Sequence, residues 1–252
     1  METTLRVLVG FGLTFLLVML RLEAQRFGAA EYDEAIGGRA SSPLRRLAWY
    51  VMGVVLVAAI LVIHPSPSID LFMGPGDRGL TILLGMAYAL AGTGQALGFA
   101  YLYYRRLRLP DAASYPGALI NAVATAFVDE AAFRGALLGF LVLVGIDPMI
   151  SVVIQALVYT LATRTGAPGR DPYTFALALG IGLVGGWVTI QTGGFAASFF
   201  GHAVTRFAVF LTTGHAGHLA PRGGEREDIE RRRRTPDGWR VVGPAEHARR
   251  DR

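Results

Sequence analysis

Three ionisable residues lie in the middle of one long apolar segment of the chain. Asp129, Glu130 and Arg134 interrupt the run from Leu119 to Leu143, which is otherwise mostly apolar and long enough to cross a bilayer as a helix. A charge at the centre of such a helix costs about 2.5–3.5 kcal/mol on insertion scales, so these side chains need partners. Glu130 and Arg134 are four residues apart and are expected to pair on one helix face. Asp129 points about 100° away from Glu130 and therefore needs a partner from another helix or from water.

A second apolar segment carries His202 and Arg206, which are also four residues apart. A carboxylate beside a histidine and fixed cationic donors is the set of groups that amide hydrolysis needs, because one group takes a proton from water while others stabilise the oxyanion. The alternative is an ion-pair staple between helices. A shorter apolar segment adds a softer polar stripe of Gln155, Tyr159 and Thr163, for which interhelical hydrogen bonding is the alternative to a role in the site.

We expect no bound metal or other cofactor. One histidine and two carboxylates could in principle bind iron or zinc, but Arg134 and Arg206 would repel a cation from the same pocket. The chain has no cysteine, which excludes disulfides and thiolate chemistry. Its positive charge is entirely arginine and falls mainly in loops and the C-terminal tail, so nucleic-acid binding is not expected.

The apolar segments predict an all-α, polytopic transmembrane helical bundle of about seven spans. They are apolar all round, whereas helices of a soluble protein would show amphipathic faces. A cleaved signal peptide is the alternative for the first segment, but Glu2 makes its start poorly basic, so we favour a retained helix. The predicted spans are about Leu5–Leu20, Leu47–Ile63, Leu80–Tyr104, Leu119–Leu143, Met149–Thr163, Tyr173–Ile190 and Phe195–Leu211.

The distribution of arginine predicts the orientation of the chain. The loops after spans one, three and five carry five, three and two arginines, whereas the loops after spans two, four and six carry only Arg78. The positive-inside rule then places the N-terminus outside and the C-terminus in the cytoplasm. The use of arginine without lysine, with abundant alanine and glycine, is typical of GC-rich bacteria, so we expect a bacterial plasma membrane. The basic tail, residues 215–252, has too few apolar residues to bury a core and is predicted to be disordered.

The segment from Asp129 to Gly135, Asp-Glu-Ala-Ala-Phe-Arg-Gly, resembles the E-E-x-x-F-R-G signature of the CPBP family. This family comprises the CAAX-protease-like and bacteriocin-processing (Abi) intramembrane endopeptidases. The resemblance extends over residues 116–214, which implies a CPBP-like core preceded by N-terminal helices over residues 1–115. Asp129 stands in the position of the first glutamate of the motif, and Glu130, Phe133 and Arg134 match it outright.

The other two family motifs match in part. The second, F-x-x-x-H, aligns with Tyr159 to Thr163, so that threonine replaces histidine. The third, H-x-x-x-N, aligns with His202 to Arg206, so that the histidine is kept and arginine replaces asparagine. The resemblance implies that Asp129 activates water while His202 and Arg206 hold the oxyanion. Threonine cannot perform the proton transfer of an imidazole, so a slow enzyme is expected.

The resemblance implies an intramembrane endopeptidase that cleaves a membrane-associated or prenylated peptide within the lipid bilayer. The alternative is a catalytically inactive scaffold or immunity protein of the same fold. A proton-coupled carrier is a third class, but the chain shows no internal repeat that would support it. For the site itself we expect Asp129 to face His202 across the helix interface, with Glu130 paired to Arg134.

Overall fold

The computed structural model describes residues 2–24, 26–29, 43–104, 115–165 and 172–213, and these residues form a helical bundle without strands. Two π-helical segments, π1 (Ala100–Tyr104) and π2 (Ala131–Leu137), follow the fourth and fifth helices without a break. The α-helices in order are α1 Glu2–Leu22, α2 Pro43–Ile63, α3 Pro67–Asp70, α4 Arg78–Phe99, α5 Tyr115–Glu130, α6 Leu138–Leu143, α7 Pro148–Thr165, α8 Pro172–Thr192 and α9 Ala196–Thr213.

Every predicted span coincides with a helix, and the charged fourth span is the continuous run of α5, π2 and α6. Four helical segments of the described chain are long and apolar enough to cross a membrane, and the segment from Pro148 to Thr163 is a shorter apolar helix. These four segments are Thr3–Leu22, Pro43–Ile63, Arg78–Leu102 and Phe175–Thr192. The predicted all-α membrane bundle is therefore confirmed. The predicted tail, residues 215–252, lies outside the described residues, and the three domain boundaries stay predictions.

Large apolar side chains cover the outside of the bundle. Leu5 is 62% exposed on α1 and Leu90 is 68% exposed on α4, and similar residues recur on α2 and α7. A soluble protein rarely leaves so much contiguous apolar surface in water. Lipid is the solvent that suits this surface, so the exposed residues support a membrane protein.

Close helix contacts depend on small residues. A Cβ atom on Gly92 of α4 would overlap the side chain of Thr205 on α9, and one on Gly201 of α9 would overlap Tyr88 on α4. Thr205 cannot turn away readily, because it is β-branched and its hydroxyl donates to the Gly201 carbonyl at 2.7 Å. These glycines therefore bring α9, with its histidine and arginine, close to α4.

We expect Gly92→Ala to destabilise the protein by about 1–3 kcal/mol, because the added methyl group overpacks the contact between α4 and α9. Gly94→Ala is the matched control, since nothing lies within 4 Å of a Cβ atom at that position on the same helix. Thermal unfolding in detergent measures both. Equal stability of the two variants would contradict the packing described here.

His64, which directly follows α2, is buried and only 2% exposed. Its Nδ1 accepts a hydrogen bond from the Ser66 backbone N–H at 3.3 Å and lies 4.0 Å from Asp70 Oδ2, while its ring packs edge-on against Phe140 at 5.7 Å. Burial lowers the pKa of His64, and the nearby Asp70 carboxylate opposes that shift. His64 therefore makes a buried contact between the loop after α2 and α6.

The lowered pKa of His64 determines how the stability of the protein should change with pH. The folded state binds this proton less readily than the unfolded state, so stability should fall as the pH drops below about 6.5 and should not change through this group above it. We expect His64→Gln to flatten the pH dependence of the melting temperature between about pH 7.5 and pH 5. Parallel pH profiles of the variant and the wild type would show that His64 plays no part.

Candidate functional site

The three charges of the fourth span lie where its helix changes type. Asp129 and Glu130 end α5, and Arg134 lies inside π2, the wide turn that follows. All three residues are fully buried, with 0% exposure. A π-helical turn is rare and is frequently found at functional sites, so this stretch is a candidate functional site.

Glu130 is the residue around which the other groups gather. Its Oε1 lies 3.2 Å from Arg134 Nη1, so the predicted pair of Glu130 and Arg134 is formed. The same oxygen lies 2.7 Å from Nδ1 of His202, which α9 presents from the opposite side and which is fully buried. If Glu130 is ionised, it only accepts hydrogen bonds, so Nδ1 of His202 carries a hydrogen, and in the neutral imidazole Nε2 then keeps its lone pair.

The expectation that Asp129 faces His202 is wrong. Asp129 Oδ1 lies 2.8 Å from Nε of Arg21 on α1, and its Oδ2 lies 3.9 Å from Nη1 of Arg206 on α9. Consecutive helix residues point about 100° apart, so the two carboxylates reach different neighbours. Glu130 contacts His202 of α9, and Asp129 contacts Arg206, one turn further along the same helix.

Arg21 is the member of the cluster that sequence reasoning missed. It was counted among the arginines of the loop after the first span, whereas it belongs to the last turn of α1 and its side chain is 3% exposed. One signal could have identified it. Asp129 needed a cation from another helix, and Arg21 directly follows the first predicted span.

Tyr159 is the member of the polar stripe on α7 that faces the cluster. Its hydroxyl lies 3.3 Å from Nε2 of His202, and Cζ of Arg134 lies 4.2 Å above its ring, in the geometry of a cation–π contact. The ring also packs against Phe133 at 5.2 Å. Tyr159 therefore contacts both the histidine and the arginine that flank Glu130.

The other two stripe residues lie apart from these contacts. Gln155 donates from Nε2 to the carbonyls of Val152 at 3.0 Å and Gly182 at 2.7 Å, which ties α7 to α8. Thr163 is buried, and its hydroxyl has no hydrogen-bond partner among the described residues. Gln155 thus has the interhelical role that was the alternative for the stripe, and the contacts described for Thr163 do not include the charged cluster.

The buried charges are close together without being fully hydrogen-bonded. Among the described residues, the three side-chain nitrogens of Arg134 and both carboxylate oxygens of Asp129 lack a partner of good hydrogen-bond geometry, although each group lies within ion-pair distance of an opposite charge. At these distances the opposite charges attract each other strongly, because the site is buried.

The donor set does not fit a metal ion. In the part of the chain that the structure describes, no three His, Asp or Glu side chains gather as ligands. Each carboxylate of the cluster also lies against a guanidinium, Arg21 for Asp129 and Arg134 for Glu130. A cation would have to displace these arginines to reach the oxygens.

Part of the chain matches the model of a known protein family. Residues 111–208 match the family model described as type II CAAX prenyl endopeptidase Rce1-like. No curated protein and no solved structure matches the chain. The matched segment includes the predicted site residues Asp129, Glu130, Arg134, His202 and Arg206, and it excludes Arg21. The resemblance seen in the motif is thereby confirmed, because residues 111–208 are similar to the CAAX-protease-like proteins that this family model describes.

Proposed function

We propose that this protein is an intramembrane peptidase of the CAAX type, in which Glu130 and His202 together activate the attacking water. The observation that carries the proposal is the 2.7 Å contact between Glu130 Oε1 and His202 Nδ1. A carboxylate that holds one imidazole nitrogen fixes the tautomer and leaves the other nitrogen free to act as a base.

The base in this arrangement is Nε2 of His202. It takes a proton from water as the water oxygen attacks the scissile carbonyl, and it later returns the proton to the leaving amine. The hydroxyl of Tyr159 lies 3.3 Å from Nε2, within hydrogen-bond distance of its lone pair, so it has to give way to the attacking water before Nε2 can act as the base. Glu130 remains ionised throughout and stabilises the imidazolium that forms, while Arg134 balances the charge of Glu130.

Arg206 is the group proposed to hold the oxyanion. Its side chain is 16% exposed, whereas that of Asp129 is fully buried, so Arg206 is the more accessible member of that pair. Its planar guanidinium can donate to the negative oxygen of the tetrahedral intermediate. Asp129 lies between Arg21 and Arg206, so its role here is to hold Arg206 in place, which replaces the role of base that the family resemblance implied for it.

The substrate class follows from the family and from the apolar exterior. The matching family model describes prenyl endopeptidases, and the helices of this chain present a surface suited to lipid. A peptide that carries a prenyl group would partition into the same bilayer and reach the bundle from within it. We therefore propose a prenylated or otherwise membrane-associated peptide as the substrate.

A non-catalytic role is the second candidate, and the pairing of the charges favours it. Asp129 and Arg21 form one buried pair, and Glu130 and Arg134 form another. Together with His202 they join α1, α5, π2 and α9. A cluster of this kind could hold the helices of a scaffold or immunity protein together without performing chemistry.

Cleavage of a defined peptide tests the peptidase directly. The purified full chain in lipid vesicles should cleave a farnesylated CAAX peptide slowly, and mass spectrometry of the products would identify the bond. The same peptide without its prenyl group serves as the control and should be cleaved less. If neither peptide is cleaved and the charge-neutralised variants are merely unstable, the scaffold is the better account.

The orientation in the membrane stays a proposal. We propose that the N-terminus is outside and that the tail is cytoplasmic in a bacterial plasma membrane, on the basis of the arginine distribution. A reporter enzyme that works only in the cytoplasm should be active when it is fused after Arg240. Activity of a reporter that requires the exterior would reverse the proposed orientation.

A further inference from the structure

The N-terminal helix α1 runs alongside the charged helix in the opposite direction. A Cβ atom on Gly10 would lie 3.5 Å from the ring of Phe140, while Arg21 contacts Asp129. Eleven residues separate Gly10 from Arg21, and eleven separate Asp129 from Phe140. The stretch of α1 covers about 16 Å, and the two contacts at its ends show that α1 runs antiparallel to the charged helix over that length.

Helix α1 ends at the depth of the charged cluster. Its last residue is Leu22, one position after Arg21, and the indole Nε1 of Trp49 donates to the carbonyl of Leu20 at 2.8 Å. Ala24 and Ala29, which follow the helix, are fully buried. The end of α1 is thus enclosed by protein, and a cation in a final helical turn is favoured by the helix dipole.

The buried position of Arg21 requires a partner of opposite charge. Asp129 lies fourteen residues after Tyr115, the first residue of α5, which is a distance of about 21 Å along the helix. A buried guanidinium at that depth is costly unless it is paired. Arg21 is nevertheless buried, and the carboxylate of Asp129 is the partner within reach at 2.8 Å.

We propose that Arg21 is a positioning residue of the site, although it lies outside the segment that matches the family. Its ion pair with Asp129 fixes the end of α1 against α5, and through Asp129 it sets the place of Arg206. The effect of Arg21 on catalysis rests on the proposed function, whereas its effect on the position of α1 does not. An experiment can therefore refute one of these effects without refuting the other.

The chain has no cysteine, so introduced cysteines can carry spin labels without background. Leu16 on α1 and Val123 on α5 are exposed and suit labelling as Leu16→Cys and Val123→Cys. Pulsed electron paramagnetic resonance on the full chain in vesicles then measures the distance between α1 and α5. We expect one narrow distance distribution in the parent protein and in Arg21→Lys, and a broadened or shifted one in Arg21→Met, which keeps similar bulk without charge.

Thermal unfolding supplies the second measurement. Arg21→Met should lower the melting temperature by about 6–20 °C, and Arg21→Met with Asp129→Asn should recover much of the loss because the fully buried carboxylate is then removed together with its cation. The double variant also keeps the test decisive if the single variant does not fold. Arg26→Met is the matched control, since Arg26 pairs with Glu23 at the surface with 81% of its side chain exposed.

The outcomes separate the two proposals. If Arg21→Met retains the parent distances and melting temperature, or if Arg21→Lys is disturbed as strongly as Arg21→Met, the positioning role is refuted. In an active protein, Arg21→Met should also lower kcat more than it changes KM. If the parent protein cleaves nothing, the peptidase proposal fails, while the label distances still decide the role of Arg21.

Discussion

Replacing Arg134 with methionine should destabilise the protein by about 3–5 kcal/mol, because the change leaves the buried carboxylate of Glu130 without its cation. His202 remains in contact with Glu130 but is neutral in the tautomer described above. The loss should be visible as a lower melting temperature in detergent or as earlier unfolding in a denaturant series.

Two variants show whether the charge is the cause. Glu130→Gln combined with Arg134→Met removes both charges and should recover much of the stability. Arg26→Met removes an arginine from an exposed pair and should cost less than about 1 kcal/mol. If Arg134→Met costs no more than Arg26→Met, the pair does not stabilise the bundle.

Replacing His202 with asparagine should lower kcat by about 10²–10⁴-fold, because the variant keeps a hydrogen-bonding side chain but has no base. Tyr159→Phe should have a smaller effect, since Tyr159 contacts the imidazole without taking the proton. Initial rates with a farnesylated CAAX peptide measure both. Unchanged kcat in His202→Asn would remove the histidine from the mechanism.

Thr163→His distinguishes this mechanism from the family arrangement. If Asp129 works with an imidazole at position 163, as the second family motif implies, the substitution should raise the rate. If Glu130 and His202 activate the water, it should bring no gain, because His202 already provides the base. Asp129→Asn should then slow the reaction through the displacement of Arg206 and not through the loss of a base.

The positions of the helices could be predicted closely, because an apolar run of sufficient length has few alternatives in a membrane protein. The predicted sixth span, Tyr173–Ile190, differs from α8, Pro172–Thr192, by no more than two residues at either end. The change from α5 to π2 could not be predicted, since a shift in backbone hydrogen bonding leaves no pattern in side-chain polarity. The spacing of Glu130 and Arg134 was enough to predict their pair, because it requires only one helix.

Partners between helices were harder to predict. The sequence shows that Asp129 and Glu130 point in different directions, but it does not show how the helix is rotated against α9, so the histidine was assigned to the wrong carboxylate. Arg21 was missed because an arginine at the end of a span ordinarily lies at the membrane surface. Tyr159 and Thr163 share one helix face, so their spacing does not tell which of them reaches the site. The packing of α7 against α9 decides this, and it places Tyr159 beside His202.

The most direct measurement compares the rate of cleavage in the wild type with that in the double variant Glu130→Gln, Arg134→Met. This variant should remain folded because it leaves no buried charge unpaired, yet it lacks the carboxylate that holds His202. We expect that the wild type cleaves a farnesylated CAAX peptide in vesicles and that the folded double variant is at least about 10²-fold slower. A double variant that is folded and as active as the wild type, or a wild type that releases no product, would contradict this expectation.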